Sequence, residues 1–463
     1  MIKLTGKISF KSIALVSLVL ILSYIAQVNL AVALFIIVLC AYLKLRKLNL
    51  KNCNLLNLAL LFLTAVTSGY LLIKHNFPIY YIPFSLIPML ATLLFGNLEL
   101  SLLITLASAV SIASFSGYPL QTIALSLTSG ITSSILVLGA RKRNTIIRAG
   151  ILIAVFQVLT LIFMEHLRIL LIERYLILFI NGIVSSIVVL GILPVFEYLF
   201  NTATNISLLE LADFHHPLLQ RLIQEAPGTY HHSLIVGNLS ESACRTVGAN
   251  ALLARIGAYY HDIGKLQKPE YFSENQANEK NKHGSLAPTM SKLVIMNHIK
   301  EGVELAKKYR LSPSLTDFIQ QHHGNSLVYY FYRRALENIE EDQDVKEEGF
   351  RYPGPKPNTK ETAVVLLADS VEAAARALKD PNPGKIEELV HKIINNKFID
   401  GQLDECELTL KDLEKISAVF IRLLCGIYHN RTSYPEGERV ENNYKKSSKE
   451  NPHLSEEDKK VNS

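Results

Sequence analysis

Residues 257–265 read GAYYHDIGK, a His-Asp pair at the end of an apolar run with a glycine and a lysine close behind it. Apolar residues recur at spacings of three and four through this run, which is the period of an amphipathic helix. The same period recurs in 231–248, 250–262, 287–298, 301–309, 314–323, 361–377, 384–395 and 407–428. We find no alternating run with hairpin turns, so the pattern predicts an all-helical domain over 229–436.

Further histidines and a second aspartate lie on the neighbouring predicted helices. They are His231-His232, His298, His322-His323 and Asp369. Neutral imidazole and carboxylate are ligands that suit zinc, manganese and iron. A single His-Asp dipeptide or a single histidine is commonly an ordinary surface or core feature. The joint occurrence of these groups, in this order, is specific and predicts a metal centre.

The predicted centre holds two metal ions. We expect the first ion to face His232, His261 and Asp369, with Asp262 placed to bridge to the second. The ligands expected for the second ion are His298 with His322 or His323. Adjacent residues of a helix point about 100° apart, so one member of each His-His pair is expected to stand behind the ligands or to bind a phosphate. His215-His216, before Pro217, fits no ligand role.

Two metal ions about 3.5–4 Å apart can generate a hydroxide nucleophile and neutralise charge on phosphoryl oxygens. The constellation therefore predicts a metal-dependent phosphohydrolase with Asp262 and Lys265 as catalytic residues. If the helix continues past Gly264, Lys265 lies on the same side as His261 and can contact a substrate phosphate, although a solvated lysine is an equal alternative. Tyrosines over 329–332 could stack a base, or simply pack.

Residues 1–200 are almost continuous apolar runs in a chain that is 49% hydrophobic and 19% charged. Membrane spans are predicted at 54–73, 79–96, 98–116, 119–140, 147–166 and 175–200. The first run, 12–44, is too long for one upright span. One tilted helix over this run gives seven spans, and a hairpin that turns near Gln27 and Asn29 gives eight.

Loop charge favours eight spans with both ends in the cytoplasm. The cytoplasmic segments then contain Lys3, Lys7, Lys11, Lys44, Arg46, Lys47, Lys51, Arg141, Lys142, Arg143 and Arg148, against Lys74, Arg168 and Arg174 outside. This distribution explains the net charge of +6 without a nucleic-acid polymer as partner. Five cysteines without paired spacing argue against a disulfide framework. Residues 201–228 read as a coupling linker, and 437–463 are predicted to be disordered.

The sequence resembles the membrane-anchored HD-domain phosphohydrolases, which include seven-transmembrane cyclic-di-AMP phosphodiesterases. The matching stretches are EAPGTYHHS (225–233), ANALLARIGAYYHDIGK (249–265), ENQ (274–276), ELAKKYRL (304–311), IQQHHG (319–324), FRYPGPKP (350–357) and VVLLADSVEAAAR (364–376). The resemblance implies an all-α protein in which a polytopic transmembrane region precedes an HD domain. It carries the ligand role to His232, His261, Asp262, His298, His322 and Asp369, and to His323 as a ligand or near-ligand.

The resemblance also implies a manganese or iron pair and hydrolysis of cyclic-di-AMP to linear pApA in nucleotide signalling. The expected setting is a bacterial-type cytoplasmic membrane with the catalytic domain inside, in contact with lipid and compatible with a homo-oligomer. The usual extracellular domain is expected to be missing, because the first apolar run passes directly into the next. Cyclic-di-GMP, an alarmone, and nucleotide binding without turnover remain alternatives. Cyclic-di-GMP enzymes of this type carry Gly-Tyr-Pro where this chain has Gly324-Asn325-Ser326.

Overall fold

The computed structural model describes residues 55–165, 172–276, 282–337 and 345–428. In these ranges the protein is all-helical, as predicted, and the only β pairing is an isolated bridge between Leu327 and Arg351. The first run over 12–44 and the tail from 437 lie outside the described residues. The predictions made for them, including the choice between seven and eight spans, therefore stay predictions.

In its described residues, 55–165 and 172–200, the apolar half contains six helices. They are α1 (Leu55–Lys74), α2 (Leu86–Phe95), α3 (Leu98–Ala113), α4 (Pro119–Val137), α5 (Arg143–Glu165) and α6 (Ile172–Phe200). Four of them, α1, α4, α5 and α6, are long and apolar enough to cross a membrane. The stretch predicted as a span over 79–96 is interrupted: a turn at Ile79–Tyr81 and Pro83 precede α2. The ten residues of α2 rise only about 15 Å, half the hydrocarbon thickness.

Small and hydroxylated residues bring these helices close together. A Cβ on Gly182 of α6 would lie 2.7 Å from the backbone nitrogen of Ala154 on α5. The Ser101 and Ser134 hydroxyls, on α3 and α4, are 2.6 Å apart and buried. Close backbone approach and hydroxyl hydrogen bonds are the usual means of helix association in lipid, where burial of apolar surface supplies no net driving force.

Two short helices, α7 (Asn205–Leu211) and α8 (Pro217–Glu225), join the apolar bundle to the C-terminal domain. The Arg143 guanidinium at the start of α5 donates to Glu210 on α7, with Nε 3.1 Å from Oε1. The Leu211 carbonyl accepts a 2.8 Å hydrogen bond from the Tyr260 hydroxyl. Because Tyr260 directly precedes His261, the linker is in physical contact with the segment that carries the His-Asp pair.

The described part of the C-terminal domain contains eight α-helices. They are α9 (Pro227–Thr246), α10 (Ala251–Tyr260), α11 (Pro288–Lys308), α12 (Pro313–Gln321), α13 (Tyr329–Glu337), α14 (Lys360–Arg376), α15 (Pro383–Ile399) and α16 (Leu410–Ile427). The helices predicted at 287–298 and 301–309 are one continuous helix, α11, and α13 was not predicted. The buried core contains α14, whose residues 363–368 are completely inaccessible, packed among α9, α10, α15 and α16.

Candidate metal centre

His232 lies on the buried face of α9 and reaches the centre of the domain. Its Nε2 is 3.1 Å from Asp369 Oδ1, and Asp369 projects from α14. The neighbouring His231 is exposed, because the helix turns it away from the centre. For this pair the expectation that only one histidine faces the site agrees with the geometry.

His261 and Asp262 both face the centre because α10 ends at Tyr260. Asp262 has φ −108° and ψ 16°, so the chain leaves the helix between the two side chains. The segment then continues as a 3-10 turn over Ile263–Gln267, and the premise of a helix running past Gly264 is wrong. In the tighter turn Lys265 folds back, and its Nζ lies 2.7 Å from Asp262 Oδ2 and 2.7 Å from Glu274 Oε1.

His298 on α11 meets His322 and His323, which follow the last residue of α12. His298 Nε2 and His322 Nε2 are 3.1 Å apart, and the rings of His322 and His323 have centroids 4.1 Å apart. The 100° separation of adjacent helical residues does not apply to this pair, because the helix ends at Gln321; which of the two rings is a ligand stays a prediction. His323 Nδ1 lies 3.5 Å from Asp369 Oδ2.

Asp262 stands between two groups of imidazoles. Its Oδ2 is 3.2 Å from His261 Nε2, while its Oδ1 is 3.4 Å from His298 Nε2 and 3.5 Å from His322 Nε2. Each oxygen of one carboxylate therefore faces a different set of ring nitrogens. This is the arrangement that a bridging ligand between two metal ions requires.

Three observations show that these residues fit divalent metal ions. His261 Nε2 and Asp262 Oδ1 are buried without a hydrogen-bond partner, an arrangement that proteins avoid unless another ligand is to be bound. Nδ1 of His261 donates to the Ala258 carbonyl at 2.6 Å, and His298 and His322 bond carbonyls in the same way, which leaves Nε2 as the free ligand atom. Ligand atoms within 4.8 Å of one another form three sets: His232-His261-Asp369, His261-Asp262-His322 and His298-His322-His323.

The ionisable groups of the centre shift one another's pKa. Burial disfavours the carboxylate of Asp262, but His261 and Lys265 outweigh it and hold the pKa well below its usual range. Burial also disfavours imidazolium at His261, yet Asp262 and Asp369 raise its pKa to about 10. Burial lowers the pKa of His298 to about 4. Only a neutral imidazole binds a metal, so His261 must lose its proton before its Nε2 can serve as a ligand.

Two protein-family models account for most of the chain. The model described as "7TM receptor with intracellular HD hydrolase" matches residues 17–204, and the HD domain model matches residues 229–374. The chain therefore resembles the 7TM-HD family in both of its parts. The predicted resemblance is therefore confirmed.

Among curated proteins, the chain is 44% identical over 317 residues to the cyclic-di-AMP phosphodiesterase PgpH of Bacillus subtilis (strain 168), covering 67% of this chain and 44% of that protein. It is 37% identical over 361 residues to PgpH of Listeria monocytogenes serotype 1/2a (strain 10403S), covering 76% and 50%. The chain spans about half the length of these relatives. A crystal structure of the L. monocytogenes PgpH HD domain with cyclic-di-AMP is 45% identical and covers 47% of this chain and 100% of that one, with a TM-score of 0.45.

One side chain beside the proposed ligands was missed from the sequence. Glu372 lies one helical turn after Asp369 on α14, is 1% exposed, and accepts a hydrogen bond from His232 Nδ1. A carboxylate behind a ligating histidine fixes the ring and raises the basicity of the other nitrogen. The i, i+3 spacing in ADSVE (368–372) was the available signal, since it places both carboxylates on one helix face.

We expect Glu372→Gln to weaken Mn²⁺ binding by about ten- to a hundredfold, the usual effect of losing such a partner. The amide keeps the size of the side chain but removes the charge that aligns His232. The measurement is a titration of Mn²⁺ against a competing chelator. Glu388→Gln, on the exposed surface of α15, is the matched control and should bind as wild type. Equal affinity in both variants would show that Glu372 does not support the ligand.

Proposed function

We propose that this chain is a membrane-anchored, metal-dependent phosphodiesterase that hydrolyses a cyclic dinucleotide, with cyclic-di-AMP converted to linear pApA as the preferred reaction. The observation that carries the proposal is Asp262, whose two oxygens face separate imidazole sets while its Oδ1 is buried and unpartnered. The names of the B. subtilis and L. monocytogenes relatives support the choice of substrate.

The proposed ligands divide between two manganese or iron ions. His232, His261 and Asp369 would hold the first ion, His298, His322 and His323 would hold the second, and Asp262 would contribute to both. Two such metal ions would supply a hydroxide nucleophile at neutral pH and offset negative charge on the phosphoryl oxygens. Hydrogen bonds orient the ligand rings: backbone carbonyls accept from Nδ1 of His261 and His298, and Glu372 accepts from Nδ1 of His232.

Lys265 belongs to the proposed catalytic set with a restricted role. An ammonium group has three donors, and two are directed at Asp262 and Glu274. The third is available for a substrate phosphate. The main task we assign to Lys265 is to hold the bridging carboxylate in place.

We further propose that the domain lies on the cytoplasmic side of a bacterial-type inner membrane. The excess of lysine and arginine on the inside segments supports this orientation, and the exposed apolar faces of the bundle, such as Phe163 at 84%, suit contact with lipid. A reporter fused after Arg46 should be active in the cytoplasm; activity in the periplasm would reverse the orientation. A homo-oligomer stays a prediction.

The proposed activity is tested on the full chain in detergent, loaded with Mn²⁺ or Fe²⁺. We expect metal-dependent release of pApA from cyclic-di-AMP, with slower turnover of cyclic-di-GMP, which is disfavoured by Asn325-Ser326 in place of Tyr-Pro. A chelator should abolish the reaction. Hydrolysis of an alarmone alone would change the substrate class. Tight cyclic-di-AMP binding without turnover in either metal would favour a receptor.

A further inference from the structure

Lys397, near the end of α15, differs from the other basic side chains around the metal centre. Its Nζ donates a 2.7 Å hydrogen bond to the hydroxyl of Ser326. Among the described residues it forms no ion pair within 4.0 Å. The residue is only partly buried, and its ammonium has two donors besides the one given to Ser326.

The segment that holds Lys397 also carries two of the proposed metal ligands. Ser326 follows His322-His323, and its N–H donates to the His323 carbonyl at 3.1 Å. The Ser326 carbonyl accepts from the N–H of Tyr352, whose ring stacks on the His323 ring with centroids 4.3 Å apart. The Lys397 ammonium is thus hydrogen-bonded, through the Ser326 hydroxyl, to the turn that follows His322-His323.

The neighbouring cations are already neutralised. Their partners are Asp262 and Glu274 for Lys265, Glu347 and Asp400 for Arg351, Asp404 for Lys356, and Asp412 for Lys360. The charge of each of these cations is already offset by at least one carboxylate. Unlike these four, Lys397 has no carboxylate partner within 4.0 Å in the part of the chain that the structure describes.

We propose that Lys397 binds the second phosphodiester of the cyclic dinucleotide, the one that is not being cleaved. The inference rests on the proposed function. A cyclic dinucleotide carries two phosphodiester anions; the metal centre engages one, and the other needs a cation on the wall of the site. Burial lowers the pKa of Lys397, opposed by the charges of Asp369 and Asp400, and an anion placed against the ammonium would offset that cost.

The test compares two substrates on the full-length, Mn²⁺-loaded protein. Cyclic-di-AMP has two phosphodiesters, whereas bis(4-nitrophenyl) phosphate has one and cannot use Lys397. We expect Lys397→Gln to raise KM for cyclic-di-AMP about ten- to a hundredfold, the loss of a hydrogen bond to a charged group, and to leave KM for bis(4-nitrophenyl) phosphate unchanged. Lys397→Arg should recover most of the affinity. Lys356→Gln is the matched control, because its partner Asp404 faces solvent.

Unchanged KM for both substrates in Lys397→Gln would overturn the inference and leave the proposed function intact. Equal losses on both substrates would assign Lys397 a structural role and overturn it as well. Equilibrium binding of cyclic-di-AMP is measured in parallel, so that a chain that binds without turnover still tests the residue: the Gln variant should then bind about ten- to a hundredfold more weakly. If the wild-type chain neither binds nor cleaves a cyclic dinucleotide, both proposals fail.

Discussion

Replacing Asp262 with alanine should reduce kcat for cyclic-di-AMP by on the order of 10³ or more, because the bridging carboxylate and the two metal ions that it positions are lost together. The two oxygens of Asp262 are the only carboxylate atoms in the described site that face both His261 and the His298-His322 pair. Metal content per chain should fall as well. The measurements are turnover with saturating Mn²⁺ and metal analysis after desalting.

The alanine variant also leaves Lys265 with one carboxylate partner instead of two, so loss of folding has to be separated from loss of chemistry. Asp262→Asn keeps the shape of the side chain and should be equally inactive with near-wild-type circular dichroism. Asp404→Asn, an exposed carboxylate that pairs with Lys356, is the control and should stay active. Full activity in both Asp262 variants would show that the centre is somewhere else.

Replacing Gly264 with alanine should unfold or expand the domain. A Cβ at this position would lie 1.8 Å from the His298 carbonyl oxygen and 2.6 Å from the Gly302 backbone nitrogen. Both atoms belong to the backbone of α11, so the helix itself has to move. Overpacking of this kind costs about 3 kcal/mol or more, since no side chain can rotate out of the way.

The expected result is a lower melting temperature together with weaker Mn²⁺ binding, because displacing α11 moves His298 away from Asp262. Thermal unfolding followed by circular dichroism and a metal titration check both effects. Gly349→Ala is the matched control, since a Cβ there meets nothing within 4 Å. Wild-type stability in Gly264→Ala would mean that the 3-10 turn and α11 do not approach as closely as described.

The proposed ligands could be chosen from the sequence because residue type limits which side chains bind metals, and helical periodicity limits where they lie. This reasoning selected His232, His261, Asp262, His298 and Asp369 and left His322 or His323 open. The family resemblance added both, and the structure brings all seven together. The errors were local. The condition set for Lys265, a helix that continues past Gly264, is not met because the helix ends at Tyr260. The His322-His323 pair also lies beyond the end of its helix, so rules for helix interiors do not apply at either place.

The sequence by itself determined that this protein is apolar and helical in its first part, helical in its second, and equipped with metal-binding residues in a specific order. Those properties depend on composition and on the three- to four-residue spacing of apolar side chains, both of which can be read from neighbouring residues in the sequence. The tertiary structure decided which charges are paired. Lys265 pairs with Asp262 and Glu274, and Glu372 contacts His232 across 140 positions. Among the residues that the structure describes, Lys397 bonds a hydroxyl and no carboxylate. No local pattern encodes such pairings, because a charge is satisfied by whatever the folded chain places within a few ångströms of it.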